Sequence, residues 1–460
     1  MSGGSGRMVA IALVAACLTT MSACVPGNDG PAPSPGSTTT STPVECLGYE
    51  EYGDLTGKAV TVYTPIVAPE DQPHIDSFTT FEKCTGAKIN YEGSREFETQ
   101  LPVKIEAGSP PDIAYLPQPG LLNTLVRRFP GKVMEVTGPA LVNVEQNYTA
   151  TWLEHGSVDG RLYAVPVGAS AKSLVWYSPR QFTANGYEVP ATWDELVSLT
   201  ERIAAEHPEA KPWCVGLESG GSTGWPATDW LEDMMLRTVT PAEYDSWVAH
   251  EMPFDDPRVV AALDRVATIL KNPAHVNGGH GNVKSAADVP FVDAGLPVLE
   301  GTCFMHRQAS FYQANWPSGT RIAEDGDVFA FRLPGQDVEP GPVLSGGEFA
   351  AAFSDREEVR AFQTYLTSPE WSNEKARVTP AGWVSTNRHL DPENLSSPID
   401  RLAFELLTDE NTVIRFDGSD LMPSTVGAGT FPKGMSNWIA LDRSSVEVLA
   451  EIEASWPRTG

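Results

Sequence analysis

Positive charge is what this 460-residue chain has least of: 32 Lys and Arg against 60 Asp and Glu leave a formal charge of −28. Such a surface repels phosphates, which excludes nucleic acid and anionic lipid as partners, and the acidity itself reads as solubility. No GxxxxGK(S/T) segment is present to cradle nucleotide phosphates, so any ATP hydrolysis belongs to another protein. Neither HExxH nor CxxC occurs. His275 and His280 are separated by Val276-Asn277-Gly278-Gly279, a loop rather than one helical face, so we expect no metal and no cofactor. Past the N-terminus no run of about 20 uncharged apolar residues offers a membrane span.

Cysteine is also sparse, six in all, and its placement is informative. Residues 1–23 carry one cation, Arg7, then an apolar run from Met8 to Leu18 that is too short to span a bilayer and reads as a signal peptide. Met21-Ser22-Ala23-Cys24 resembles a bacterial lipobox, in which Cys24 becomes the lipidated first residue of the mature protein; the plainer alternative is an ordinary signal cleaved near Ala23. Residues 25–45, rich in Pro, Gly, Ser and Thr, suit a flexible tether behind that anchor, so residues 24–45 form the lipidated linker. We therefore expect a location on the outer face of the bacterial cytoplasmic membrane. Cys17 leaves with the signal and Cys24 takes lipid. The remainder, Cys46, Cys84, Cys214 and Cys303, allows three disulfide connectivities, of which we expect Cys46–Cys84 and Cys214–Cys303.

From Lys58 onward strands and helices alternate, the pattern of an α/β architecture. Ala59–Tyr63 and Lys88–Tyr91 read as strands. Between them Ile75, Phe78 and Phe81 mark a helix stopped by Gly86. Thr192-Trp193-Asp194-Glu195 is a capping box ahead of Leu196, Leu199 and Ile203. Asp256-Pro257 opens a helix bearing Val259, Leu263, Val266 and Leu270, and Ser354-Asp355-Arg356-Glu357 another bearing Val359, Phe362 and Leu366. No repeat and no linker follows residue 45, which favours hinged lobes over separate beads.

Several segments resemble the substrate-binding proteins of carbohydrate ABC importers, the extracellular solute-binding proteins of family 1, and within them the branch associated with α-glucosides. The segments are Tyr91–Glu98, Gly108–Ala114, Asp159–Pro166, Lys172–Tyr177, Gly224-Trp225-Pro226-Ala227-Thr228-Asp229-Trp230 and Phe416–Pro423. The resemblance implies an α/β fold with two lobes, of the type II, maltose-binding-protein-like class of periplasmic binding proteins, with three hinge crossings. It places lobe 1 in residues 46–167 plus 343–417 and lobe 2 in 168–342 plus 418–460. It also implies a sugar ligand, an ABC permease with a separate ATPase as partners, and a monomer.

Sugars present hydroxyls and C–H faces, so their capture needs fixed polar groups and flat aromatic rings. At the family's ligand segments this sequence places Trp225, Asp229 and Trp230 after a glycine loop, although Leu231, Met234 and Met235 argue that Trp230 is core. Ser94, Glu96 and Gln118 lie in loops after strands, where open α/β sheets hold ligands. Relatives often carry a shorter acid at position 96. Lys172, Arg307, Gly347, Trp383, Asp417 and Asp420 complete the expected ligand-binding set; surface placement of Lys172 and turn roles for the two aspartates are the plain alternatives.

Competing readings stay open at this level. Gly220-Gly221-Ser222-Thr223-Gly224 satisfies the G-x-S-x-G pattern of a hydrolase elbow, but the following helix begins late for Ser222 to sit at a tight turn. A secreted glycoside hydrolase, with Asp229 and Glu96 as its carboxylate pair, is the alternative function. An adhesive lipoprotein without a small ligand is a third. We expect no enzyme activity.

Overall fold

The computed structural model describes residues 44–279, 282–336 and 341–457. The signal peptide, Cys24 and nearly all of the tether lie outside the described residues, as does His280. Among the described residues no helix is long and apolar enough to cross a membrane.

In chain order the strands are β1 (Ala59–Thr64), β2 (Lys88–Gly93), β3 (Ile113–Leu116), β4 (Ser157–Val158), β5 (Arg161–Leu162), β6 (Ala164–Ala171), β7 (Leu174–Tyr177), β8 (Lys211–Cys214), β9 (Val276–Asn277), β10 (Cys303–Arg307), β11 (Phe329–Arg332), β12 (Val343–Ala352) and β13 (Ile414–Phe416). One mixed sheet runs β13-β12-β3-β1-β2, with β6 antiparallel along β12. A second runs β11-β7-β10-β8-β9. In both, parallel strands joined through helices carry an antiparallel addition: β12 against β3 in the first, β7 against β10 in the second. Buried apolar side chains divide into two clusters: one takes in the first sheet and, through Trp176, Cys303 and Ala330, one face of the second; the other, with Val175, Tyr177, Trp213 and Phe331, packs on the second sheet's opposite face. The fold is the two-lobed α/β architecture expected.

The chain passes between the sheets three times. It leaves the first at Lys172-Ser173, between β6 and β7; returns between β11 and β12; and leaves again after β13, at Asp417. Cys46 is bonded to Cys84 and Cys214 to Cys303, the latter joining the ends of β8 and β10.

Local signals behave as their chemistry dictates where the chain is exposed. Thr192 and Glu195 form both bonds of a capping box for helix Trp193–Glu206, and the Asp256 carboxylate caps helix Pro257–Leu270. Gly86 ends helix Thr79–Thr85 at φ 78°, where a Cβ would lie 2.6 Å from the Thr56 hydroxyl. Two expectations need correction. The helix expected through Ile75, Phe78 and Phe81 is two short ones, Gln72–Asp76 and Thr79–Thr85. Ser77 turns its hydroxyl back to the His74 carbonyl at the break, which leaves Ile75 on the surface. Ser354 does not cap the helix Glu357–Leu366; Arg356 occupies the cap and uses the Ser354 hydroxyl as an acceptor.

Candidate functional site

Between the two sheets lies a cavity of about 190 Å³. On the first side its wall is made by the loops that follow β1, β2 and β3, carrying Glu70, Arg95, Glu98 and Gln118, and by Gly346–Glu348 of β12. On the second side it is made by Ser222, Trp225, Phe291 and Phe311. Lys172, Asp417 and Asp420, from the first and third crossings, form its floor. Loops at the carboxyl ends of parallel strands converge here because the sheet's helices occupy its faces, leaving the ends open to solute. The two sides touch across the cavity: Gly221 N–H donates to the Arg95 carbonyl at 3.4 Å, and the Asn315 amide to Glu70 at 3.2 Å.

Trp225 is the first residue of helix Trp225–Thr238. Gly224 delivers it at φ 108°, and a Cβ there would meet the Pro432 carbonyl oxygen at 2.0 Å, so only glycine permits this entry. The indole is steadied edge-on by Phe291, centroids 5.1 Å apart, and carries the Lys172 ammonium 5.4 Å from its centroid.

The same helix presents Asp229, Glu232 and Asp233 fully buried, at i, i+3 and i+4 spacing on one face. Each carboxylate holds part of a crossing. Asp229 takes Lys172 at 3.3 Å and Arg307 at 3.0 Å. Glu232 accepts the backbone N–H groups of Gly418 and Ser419 at 3.0 and 3.1 Å. Asp233 accepts the Ser173 hydroxyl at 2.5 Å and pairs with Arg237 and Arg307. Lys172 also bonds Asp417 directly and lies 3.9 Å from Asp420.

Burial pushes Asp229 up to about 6 against the pull of Lys172 and Arg307. It pushes Glu232 and Asp420 up as well, reinforced by the Asp417 charge. Burial opposes ionisation of Asp417 as well, but the Lys172 ammonium and several hydrogen bonds outweigh it and hold this carboxyl below its ordinary range. Lys172 in turn stays charged: burial disfavours the ammonium, and the surrounding carboxylates overcome that. Carboxylate oxygens of Asp229, Glu232 and Asp417 lie within 4.8 Å of one another, as metal ligands do, but the Lys172 ammonium already bonds two of these groups.

Of the residues expected from sequence, Gln118, Lys172, Trp225, Gly347, Asp417 and Asp420 line this cavity. Asp229 and Arg307 stand one layer behind it, fully buried, and position Lys172. Ser94 and Glu96 are beside it: the Ser94 hydroxyl accepts the Glu96 N–H, Glu96 sits at the start of helix Phe97–Glu106, and Arg95 and Glu98 reach the cavity instead. Trp230 is core, edge-on to Trp213 at 5.2 Å, because five residues of helix turn it away from Trp225. Trp383 lines a second chamber and gives its indole N–H to the Val167 carbonyl.

The paired-carboxylate reading loses its partner, since Asp229 is consumed by buried ion pairs. Ser222 lies on a short 3-10 turn and its side chain bonds Glu98, not a histidine. His275 donates from Nδ1 to the Thr268 carbonyl, 3.0 Å away. Glu70, Glu98, Phe311 and Glu348 were not anticipated. Glu98 lies two residues beyond Glu96 and Glu348 adjoins Gly347, so their segments were marked; nothing in the sequence marks Phe311.

The chain matches the model of the bacterial extracellular solute-binding proteins over residues 65–372. It is 39% identical over 418 residues to the osmoprotective compounds-binding protein GgtB of Synechocystis sp., covering 90% of this chain and 96% of the relative. To the alpha-glucosides-binding periplasmic protein AglE of Rhizobium meliloti it is 37% identical over 422 residues, covering 89% of each. Its fold is similar to that of the bacterial solute receptor AcbH, with a TM-score of 0.72 at 17% identity over 86% of this chain and 97% of that one. At that identity the likeness is one of fold alone.

Proposed function

Because the chain belongs to the bacterial extracellular solute-binding protein family, we propose that it captures an α-glucoside, or a related di- or oligosaccharide, in the cleft between its lobes. It then delivers the sugar to the permease of an ABC importer whose ATPase is a separate protein. One observation carries this reading: the cavity sets an aromatic face, Trp225, beside charged and amide groups, Lys172, Asp417, Glu98 and Gln118. A pyranose ring stacks its C–H face on an indole while its hydroxyls bond fixed charges. AglE is named for alpha-glucosides and GgtB for osmoprotective compounds. All three crossings end at this cavity, so a ligand that bridges its walls favours the closed arrangement, the shape a permease reads. Lipidation at Cys24 keeps the receptor beside that permease at high effective concentration.

Calorimetric titration of the mature protein with trehalose, maltose, sucrose and glucose tests the reading. We expect micromolar binding of at least one glucoside, and a stabilisation of about 2.7 kcal/mol at a hundredfold excess over Kd. The sugar is recovered intact, whereas a glycosidase would release glucose. Silence across the whole panel, in both heat and melting temperature, would sink the proposal.

A further inference from the structure

Besides the three crossings, the two sheets are joined at a place where no chain passes between them. A 3-10 turn, Ser310–Asn315, lies between β10 and β11 of the second sheet. Tyr312 ties it to that side: its hydroxyl accepts the Gly295 N–H at 2.8 Å and donates to the Val292 carbonyl at 2.9 Å. Trp316, just beyond, stands edge-on to Trp176 of β7, with centroids 5.9 Å apart.

The turn's other partners belong to the first sheet's side. The Ser310 hydroxyl accepts the N–H of Ala171, the last residue of β6 and the neighbour of Lys172, at 3.2 Å. The Gln313 amide spans the boundary: Nε2 donates to the Asp400 carboxylate at 2.5 Å, and Oε1 accepts the Ser397 hydroxyl. Ser397 caps the helix Pro398–Thr408 that carries Asp400, and both lie between β12 and β13. Asp400 is itself held by the Gly382 N–H, which reaches its two oxygens at 3.2 and 3.1 Å. Ser310, Gln313, Ser397 and Asp400 are between 2% and 5% exposed.

Contacts between the Gly220–Ser222 turn and the first side are of another kind. The bond from Gly221 N–H to the Arg95 carbonyl is 3.4 Å long and joins exposed residues, so water replaces it at little cost. Parting Gln313 from Asp400 and Ser397 would instead hydrate a buried, fully bonded network and uncover the apolar surface packed around it, Tyr312 and Trp316 included. A cavity that opens by the least costly motion opens at Gly221 and Arg95, not here.

We propose that the Ser310–Asn315 turn is a fourth, noncovalent junction of the lobes. It stays bonded to Ser397 and Asp400 when the cavity opens, and with the Lys172–Asp417 pair it fixes the axis about which the lobes turn. Gln313 is the residue on which the junction depends. The inference concerns the opening motion: it takes from the proposed function only that the cavity opens to admit a ligand, not what the ligand is.

Nitroxide labels on Val103→Cys and Leu441→Cys, exposed positions on the first and second sides, read the lobe separation of the ligand-free protein by pulsed electron resonance. Gln313→Ala is expected to broaden the distance distribution and lengthen its mean by about 5 Å, since the swing is no longer confined to one axis. Asp400→Ala, which removes the junction from the other side, should do the same, and the double variant no more than either alone. Distributions identical to the labelled parent's in both variants, even with a lowered melting temperature, overturn the junction, and so do widenings that add in the double variant. If the variants fail to fold, hydrogen exchange of the unsubstituted protein decides. The Ala171 N–H, bonded across the boundary to Ser310, is expected to exchange at rates that agree within about twofold with and without a bound glucoside. Exchange tenfold or more faster in the ligand-free protein marks a latch that parts with the cavity, and overturns the proposal. If no sugar binds, the label distances still read the junction, so the sugar-binding reading can fall without it.

Discussion

Lys172 and Asp417 form a fully buried ion pair although 245 residues separate them in the chain. One lies on the first crossing and the other on the third, and the pair is the floor of the cavity. The second crossing joins the same network: Lys172 N–H donates to the Leu344 carbonyl, Leu344 N–H to the Ser173 hydroxyl, and Asp417 N–H to the Ser345 carbonyl. The cavity floor and the three crossings are thus held by one set of bonds.

Removing the cation from this network should be expensive. Lys172→Met leaves Asp417 and Asp229 buried without their shared ammonium, at a cost of about 3–5 kcal/mol. Urea unfolding of the wild type and the variant measures it. The double variant Lys172→Met, Asp417→Asn should recover part of the loss, because one stranded charge is gone. Strictly additive losses would refute the coupling.

Trp225 offers the cavity its aromatic face, so truncation removes stacking while leaving the fold. Trp225→Ala is expected to weaken glucoside binding at least tenfold, about 1.4 kcal/mol, and to remove most of the ligand-induced change in tryptophan emission. Trp225→Phe, which keeps a flat ring, should bind more tightly than Trp225→Ala. Calorimetry and fluorescence on the same samples check both.

His306 makes folding sensitive to acid. It is 3% exposed, bonded through Nδ1 to the Cys214 carbonyl at 3.0 Å, and burial lowers it to about 4. The folded protein therefore keeps the ring neutral while the unfolded chain takes up a proton below about 6.5. Stability from this group is complete above pH 6.5 and is lost as pH falls toward 4, by about 3 kcal/mol at most. Asp229, raised to about 6, works in the opposite direction over part of that range, so the variant comparison is what isolates the histidine. The gap in unfolding free energy between wild type and His306→Gln should narrow from pH 7 to pH 4.5; a constant gap would show that the ring does not titrate as described.

The Cys214–Cys303 bond spans 89 residues and fastens β8 to β10. In the loop-entropy description a closure of that length is worth about 4–5 kcal/mol. Cys214→Ala with Cys303→Ala should lower the urea midpoint accordingly, without changing sugar affinity, because neither cysteine lines either chamber.

Local chemistry was legible without the fold. Capping at Thr192 and Asp256, the glycine stop at Gly86 and the strands at Ala59 and Lys88 depend on neighbours a few residues away, and short-range hydrogen bonding decides them. The segments that line the cavity were legible too, because loops after strands and a tryptophan behind glycines have few other uses. Rotation and depth were not. Trp225 and Trp230 are both tryptophans on one helix, and only packing against Trp213 selects which is core. Asp229 was expected at the ligand and nothing in the sequence set Glu232 and Asp233 apart, yet all three are among the most buried residues, because distant segments bring Lys172, Arg307 and the backbone N–H groups of Gly418 and Ser419 to this helix. Of the second chamber only Trp383 was marked: Glu70, Glu348 and Lys375, which also line it, come from distant segments with no shared spacing. By itself the sequence determined the elements and the loops that line the cavity. The tertiary structure decided which charges are buried and paired, since pairing energy exists only once distant segments are brought within a few ångströms.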